Sequence, residues 1–376
     1  MKRYDAIVVG GGPAGSTTAY RLAEQGVSVL LADRAKFPRD KPCGGRLTIR
    51  AVRQCPVDPT PVVEELVDAV QIRFRYREAV VRSAGKPVIW MTQRRRLDAF
   101  LLDSARERGV EVREGARVAV GEGNTVSLGG NETVAADVIV AADGVNGTTA
   151  RAVGLGQEMV YGVGYEGNVS NRSLNGDHRE GCALIEIADI PGGYAWLFPK
   201  GDHANIGVWT WEGDAQTVRA HLATACEGYG LDAATLENLR GHRLPMRSKA
   251  TRIAGERALA VGDAAGHADP VSGDGMYECF VSSRLAAGSI LDLLAGRATS
   301  LVSYEAAVDR ELAALHAASW RIKKALDRWP RASWHVLRTK LLWTTIQGLI
   351  EGSIAEPGER RGLPRATFRM LELLGR

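Results

Sequence analysis

The chain has 376 residues, a formal charge of +4 and 24% charged residues. A length of that order buries a core without staples, and five scattered cysteines (Cys43, Cys55, Cys182, Cys226, Cys279), none in a CxxC pair, argue against a metal centre and for a reducing, cytoplasmic setting. The small, interspersed charge excludes a nucleic-acid binder, and no apolar run reaches the roughly 18 residues of a membrane-spanning helix.

Tyr4 to Gly10 reads as a buried strand and leaves no room for a signal peptide. It runs into "GGGPAG" and then a helical pattern, Ser16 to Glu24, closed by Gly26. Gly10, Gly12 and Gly15 thus satisfy GxGxxG in the strand–turn–helix setting that the motif needs, with Pro13 and Ala14 between them. The first glycine permits the turn, the second lets backbone N–H groups approach a pyrophosphate, and the third lets helix and strand pack closely. A second strand, Val27 to Ala32, ends at Asp33, at the spacing of a carboxylate that binds a ribose hydroxyl, with Arg34 beside it to stack on an adenine.

"PRDKPCGGRL", Pro38 to Leu47, follows: a thiol, Cys43, beside Gly44 and Gly45 and braced by Arg39, Lys41 and Arg46. It is either a surface turn or a lid over a reaction centre. "TQRRRLDAFLLDSA" then places Arg94, Arg95 and Arg96 ahead of an amphipathic helix, Leu97 to Arg108. Between Thr148 and Lys249, alternating patterns such as "YAWLF" and "ANIGVWTW" predict strands, with helical stretches at Ala215 to Glu227 and Ala233 to Leu239. Strand alternation puts Tyr194, Trp196 and Phe198 on one face, either as domain core or as a wall for a flat or apolar substrate.

In "RALAVGDAAGHADPVSGDGM" a buried strand, Ala258 to Val261, meets Gly262 and Asp263, then Pro270, then Gly273, Asp274 and Gly275 opening a helix at Met276. A second glycine-rich strand-to-helix junction suits a long cofactor with a polyhydroxylated middle, because the strand-end Asp bonds a ribityl chain while helix N–H groups face a flavin. The two junctions together predict FAD. Finally, Ser319 to Trp343 carries seven cations against Asp327 alone, interleaved with Trp320, Trp329, Trp334 and Trp343. The simpler reading is a helical cap packed on the FAD domain with a solvated basic face; the alternative is a peripheral contact with an anionic bilayer.

GxGxxG, "DVIVAADGVNG" (Asp137 to Gly147) and GDAAGxxxPxxGxG resemble the p-hydroxybenzoate hydroxylase-like flavoproteins over about residues 4 to 295. "KPCGG" and "PGGYAWLFPK" narrow the resemblance to the geranylgeranyl reductase family, the second matching PxxYxWxFP at Pro191, Tyr194, Trp196, Phe198 and Pro199. Asp274 stands where that family usually has Glu, and "MYECF" replaces its usual "IYYAM"-like run.

The resemblance implies an α/β fold: a Rossmann-type FAD-binding domain (1–147 and 250–296), an inserted, mainly antiparallel β-sheet substrate domain (148–249) and a helical C-terminal section (297–376). It implies Arg94 near the flavin, reduction of prenyl-chain double bonds, and electrons from NAD(P)H or a ferredoxin-like donor. Cys43, Tyr194 and solvent are the candidates for proton supply, with Trp196 walling the cavity and Cys43 preferred. The rivals are a flavin monooxygenase or halogenase for a small aromatic, and a non-catalytic prenyl-lipid binder.

Overall fold

The computed structural model describes residues 1–174, 180–211 and 213–375. In chain order, the first part comprises β1 (Arg3–Val9), α1 (Pro13–Glu24), β2 (Val29–Asp33), β3 (Arg46–Thr48), α2 (Ile49–Gln54), β4 (Val63–Val67), β5 (Ala69–Phe74), β6 (Glu78–Ser83), β7 (Ile89–Thr92) and α3 (Arg94–Glu107). Then come β8 (Glu111–Glu114), β9 (Val118–Val120), β10 (Thr125–Leu128), β11 (Glu132–Ala141), α4 (Thr149–Ala152), β12 (Val160–Ser170), β13 (Cys182–Ile187), β14 (Gly193–Pro199), β15 (His203–Thr210), α5 (Ala215–Gly228) and β16 (Glu237–Met246). The last part holds β17 (Ala258–Ala260), α6 (Met276–Leu294), α7 (Ser303–Arg328), α8 (Pro330–Leu337), α9 (Lys340–Glu351) and α10 (Gly362–Leu374).

The first sheet runs β8-β2-β1-β11-β10-β9, with β17 also on β11. Its β8, β2, β1, β11 and β17 are parallel. These strands are apolar because helices cover both faces: Ile7, Leu30, Leu31 and Ile139 have no exposed surface. This is the doubly wound sheet expected of a Rossmann-type domain. Pro13 occupies the first turn of α1, where its missing N–H costs nothing, so the helix starts three residues before the expected Ser16.

The second sheet runs β16-β12-β15-β14-β13-β5-β6 and is antiparallel except for β13 with β5. It takes in β5 and β6, from a stretch that the sequence reading gave to the FAD domain; β5 lies in register with β13 from Ala69↔Cys182 to Phe74↔Ile187. The helix expected over Ala233 to Leu239 is a single 3-10 turn at Ala233–Thr235, capped by Asp232, after which the chain pairs as β16 with β12. Edge pairing has overridden the local helical preference there.

Helices α7 to α10 close over the second sheet. Trp334 and Trp343 are 3% and 7% exposed within the core between them, and Trp334 stacks on Phe74 at 5.6 Å. Trp320 is half-buried against Trp211, so of the four tryptophans of 319–343 only Trp329 is exposed. The indoles that alternate with the cations are therefore mostly sheet-facing core, because each helix turns its apolar stripe inward.

Phe280 of α6 is fully buried among Leu47, Ala51, Leu97 and Leu101, where α6 meets α2, α3 and β3. Phe280→Ala is expected to lower unfolding stability by about 3–5 kcal/mol, read from the midpoint shift in urea.

Candidate active site

The N-terminus of α1 follows β1 directly, and its Gly12 cap has no side-chain partner, leaving first-turn N–H groups free for an anion. A Cβ on Gly15 would lie 1.8 Å from the Gly10 carbonyl oxygen, so the third motif position admits no side chain. Asp33 accepts from Gly11 N–H and Ala35 N–H, both at 2.7 Å, which fixes its carboxylate at the end of β2.

Two guanidiniums stand beside Gly12: a Cβ there would be 3.6 Å from Arg39 and 4.0 Å from Arg94. Both are held by Asp98, which is fully buried on α3 one turn after Arg94. Arg94 bonds it bidentately at 2.6 and 2.7 Å, and Arg39 approaches it at 3.0 Å. Burial opposes the Arg94 charge, and Asp98 outweighs it, holding Arg94 firmly protonated.

The expected Asp263 follows β17 and contacts Lys41 at 2.8 Å and His242 at 3.8 Å. Burial disfavours its charge, but Lys41 and His242 overcome this and hold the carboxyl far below the usual range. Beyond it α6 begins at Met276 after a Gly275 cap that has no side chain, with Met276 N–H donating to Asp274 at 3.0 Å.

These residues line one cavity of about 450 Å³, which reaches from Gly12, Pro13, Ala14, Asp33 and Arg34 past Arg94 and Asp263 to Gly273, Gly275 and Met276. Gly10, Gly15, Gly262 and Pro270 stand behind the wall as packing rather than lining it. An anionic centre fits the paired guanidiniums and helix end, a hydroxylated segment fits Asp263, and a flat ring fits the glycine-rich far end.

At that far end lies the loop that follows the first βαβ. Cys43 N–H donates to Glu166 of β12 at 2.7 Å, Gly45 N–H donates to Cys43 Sγ at 3.3 Å, and Arg46 reaches Asp274 at 3.4 Å. Gly45 adopts φ +69°, and a Cβ on it would collide with Lys200 Nζ and Thr92 O, each 1.9 Å away. Cys43, Gly44, Gly45 and Arg46 all face the cavity, opposite Tyr194, Trp196 and Phe198. Tyr194 Oη donates to Ser272 O at 2.5 Å, and Trp196 Nε1 to Asn205 at 2.7 Å, so both rings are fixed. Burial pushes the Tyr194 phenol up to about 12.

Sequence reading missed Asp98, Glu166, Lys200, Asn205, Trp209 and His242. Lys200, immediately after the PxxYxWxFP motif, carried a readable signal. It is 3% exposed, donates to Thr92 O at 2.6 Å, and burial pushes its ammonium down to about 8. Glu166, raised by its own burial, gave no local hint.

This arrangement of parallel sheet, glycine-capped helix ends and guanidinium pair defines a class, a Rossmann-type flavin-dinucleotide protein. The chain matches the FAD binding domain family over residues 3–307, and FAD is its cofactor. Among relatives, geranylgeranyl diphosphate reductase from Oryza sativa subsp. japonica is 30% identical over 351 residues, 87% of this chain and 74% of that protein. Digeranylgeranylglycerophospholipid reductase 2 from Methanopyrus kandleri is 30% identical over 314 residues, 75% of this chain and 76% of that protein. The chain belongs to the geranylgeranyl reductase family.

Among solved structures, a geranylgeranyl bacteriochlorophyll reductase-like protein from Thermoplasma acidophilum aligns with TM-score 0.82 at 22% identity, covering 99% of this chain and 100% of that one. Flavin-dependent brominase Bmp2 aligns at 0.77 and 18% identity, with 98% of each chain covered, and shares the fold.

Two outcomes are expected from this geometry. Arg94→Met leaves Asp98 with Arg39 alone and one cation fewer at the α1 terminus, so FAD affinity should fall at least tenfold by fluorescence titration (about 1.4 kcal/mol). For Lys200, the folded ammonium deprotonates near 8 against 10.5 for the ordinary value, so the unfolded chain binds more protons in that window. Wild-type stability should therefore rise relative to Lys200→Met as pH goes from about 8 to 10.5, by up to about 3 kcal/mol in urea unfolding.

Proposed function

We propose that the protein is an FAD-dependent reductase of carbon–carbon double bonds in a prenyl chain. The observation that carries this reading is a second, apolar cavity of about 540 Å³, bounded by Val70, Ile72, Ile185, Ile322, Leu342, Ile346, Phe368 and Leu371. It shares Arg46, Tyr194, Trp209, Ser272 and Asp274 with the first cavity as a common wall. A branched hydrocarbon chain fits such a lining, and its reactive end would meet the flavin at that wall. The two relatives described above act, by their names, on geranylgeranyl diphosphate and a digeranylgeranyl glycerophospholipid. Their shared element is the polyprenyl chain.

FAD held by Gly12 to Ala14, Arg94 and Asp263 would supply the hydride chemistry when reduced. The protein's part is to hold the alkene against the ring, keep water away and deliver a proton to an alkene carbon. Trp196, Phe198 and Trp209 form the dry wall. Tyr194 has its proton engaged by Ser272 O and burial keeps it neutral, which suits an orienting role. Cys43 is the proton donor in this reading: its thiol faces the cavity, and Gly45 N–H faces the sulfur that remains after transfer. The electrons come from NAD(P)H bound transiently or from a ferredoxin-like donor.

Cys43→Ser should retain bound FAD and its reduction by dithionite, yet slow alkene reduction by about a hundredfold or more. The readout is anaerobic incubation with prenyl lipids followed by mass spectrometry for gains of two mass units. An unaltered rate in Cys43→Ser removes the thiol from the chemistry, whereas no prenyl species shifted by wild type overturns the reductase reading. Substrate-dependent oxygen consumption with an aromatic would instead support the hydroxylase or halogenase alternative.

A further inference from the structure

The last helix, α10, is apolar on two opposite faces. Phe368 and Leu371 point inward, packing with Ala318, Ala325, Val336 and Leu342 and bounding the apolar cavity. On the other side Leu363, Met370 and Leu373 are 68%, 58% and 50% exposed. At 100° per residue these three fall within about 80° of arc, a continuous outward stripe. The neighbouring helices α8 and α9 pack on α10, and exposed Trp329 and Leu341 lie just before and in them. Five of the ten exposed large apolar side chains among the described residues thus lie between Trp329 and Leu373.

The same region is cationic. From Arg328 to Arg369 the chain holds eight Lys and Arg against three acids. Of those acids Glu351 is engaged by Lys86, and Glu359 accepts from Ala355 N–H. Arg331, Arg338, Lys340, Arg361, Arg365 and Arg369 are exposed, and Arg365 and Arg369 flank the stripe on α10. A stripe of long apolar side chains with arginines along its border matches the boundary between acyl chains and anionic headgroups. A partner protein of ordinary polarity offers no such layered complement, and a second copy of this chain would present the same positive charge to it.

We infer that the outward face of α10, with Leu363, Met370 and Leu373 as the inserted groups, docks the protein on an anionic lipid bilayer. The inserted groups lie on α10, beyond the segment 319–343, which adds to this surface only exposed Trp329, Leu341 and cations, its other tryptophans being largely core. Because the opposite face of α10 bounds the apolar cavity, one helix separates bilayer from cavity, and a prenyl lipid has a short passage between them. That last link rests on the reductase reading; the bilayer contact itself does not.

The test uses the full-length FAD-bound protein without prenyl substrate. Co-sedimentation with vesicles of phosphatidylcholine containing phosphatidylglycerol is expected to exceed that with phosphatidylcholine alone and to fall with salt. Leu363→Ser/Met370→Ser/Leu373→Ser should weaken the anionic-vesicle partition at least about tenfold, with FAD absorbance and melting temperature retained. Arg365→Glu/Arg369→Glu, which leaves the apolar stripe intact, should weaken binding to anionic vesicles and not to neutral ones. Absence of wild-type binding to anionic vesicles, or binding by both variants as tight as that of wild type, overturns the inference. So does light scattering that shows a wild-type dimer which the triple serine variant converts to monomer, since a second copy would then cover α10. As no turnover is measured, failure of the reductase reading leaves this result standing.

Discussion

The segment Lys41 to Arg46 is held from four directions, and the geometry of the site depends on that restraint. Lys41 is drawn to Asp263 at the end of β17, Cys43 N–H to Glu166 in the second sheet, and Arg46 to Asp274 ahead of α6. Thr92 N–H, at the end of β7, donates to Gly45 O at 2.8 Å. Three of these bonds involve a charged group, and each joins the loop to an element distant in sequence. The loop is thereby a tie between the dinucleotide domain and the sheet that carries the aromatic wall. Losing one tie leaves a half-buried carboxylate such as Glu166 or Asp263 short of its partner, which costs more than the bond alone is worth.

What could be read from the sequence was what depends on neighbours in the chain. Gly10, Gly12 and Gly15 declare themselves because turn, close approach and helix start all fall within six residues, and Asp33 because a strand of fixed rise ends there. Tyr194, Trp196 and Phe198 were placed correctly on one face by the period of a strand, with Ala195 and Leu197 in the separate core behind. Glu166 is not legible, because it matters through Cys43 on another element and no local pattern encodes such a pairing. Asp98, four residues after Arg94 on the same helix, follows helical spacing, and only its second partner, Arg39, lies elsewhere in the chain. For the C-terminal tryptophans the sequence leaves two readings, a helical cap or a bilayer contact, and helical periodicity turns Trp334 and Trp343 inward, as a cap requires.

The two cavities differ in chemistry because the second sheet has two kinds of neighbour along one face. Near the FAD domain it meets Arg46, Asp263 and Asp274, charges that a dinucleotide site requires. Farther along it meets α7 to α10, which present Ile322, Leu342, Ile346 and Phe368. The shared wall must separate these environments while offering no loose charge to the apolar side. Arg46 is paired with Asp274 and lies 5.7 Å from the Phe198 ring centroid, so its charge is balanced on one side and covered by an aromatic face on the other.

Tyr194 completes the same wall. Its hydroxyl points to the Ser272 carbonyl, in the turn that leads to α6, and its ring packs on Trp196 and Trp209 with centroids 6.0 Å away in each case. The turn that aims α6 at the cofactor therefore also fixes the side chain at the head of the apolar cavity. The dinucleotide site and the apolar cavity are in this way two sides of one rigid turn, which explains why the motif around Gly273 and the aromatic motif around Tyr194 meet in space although 78 residues separate Tyr194 from Ser272.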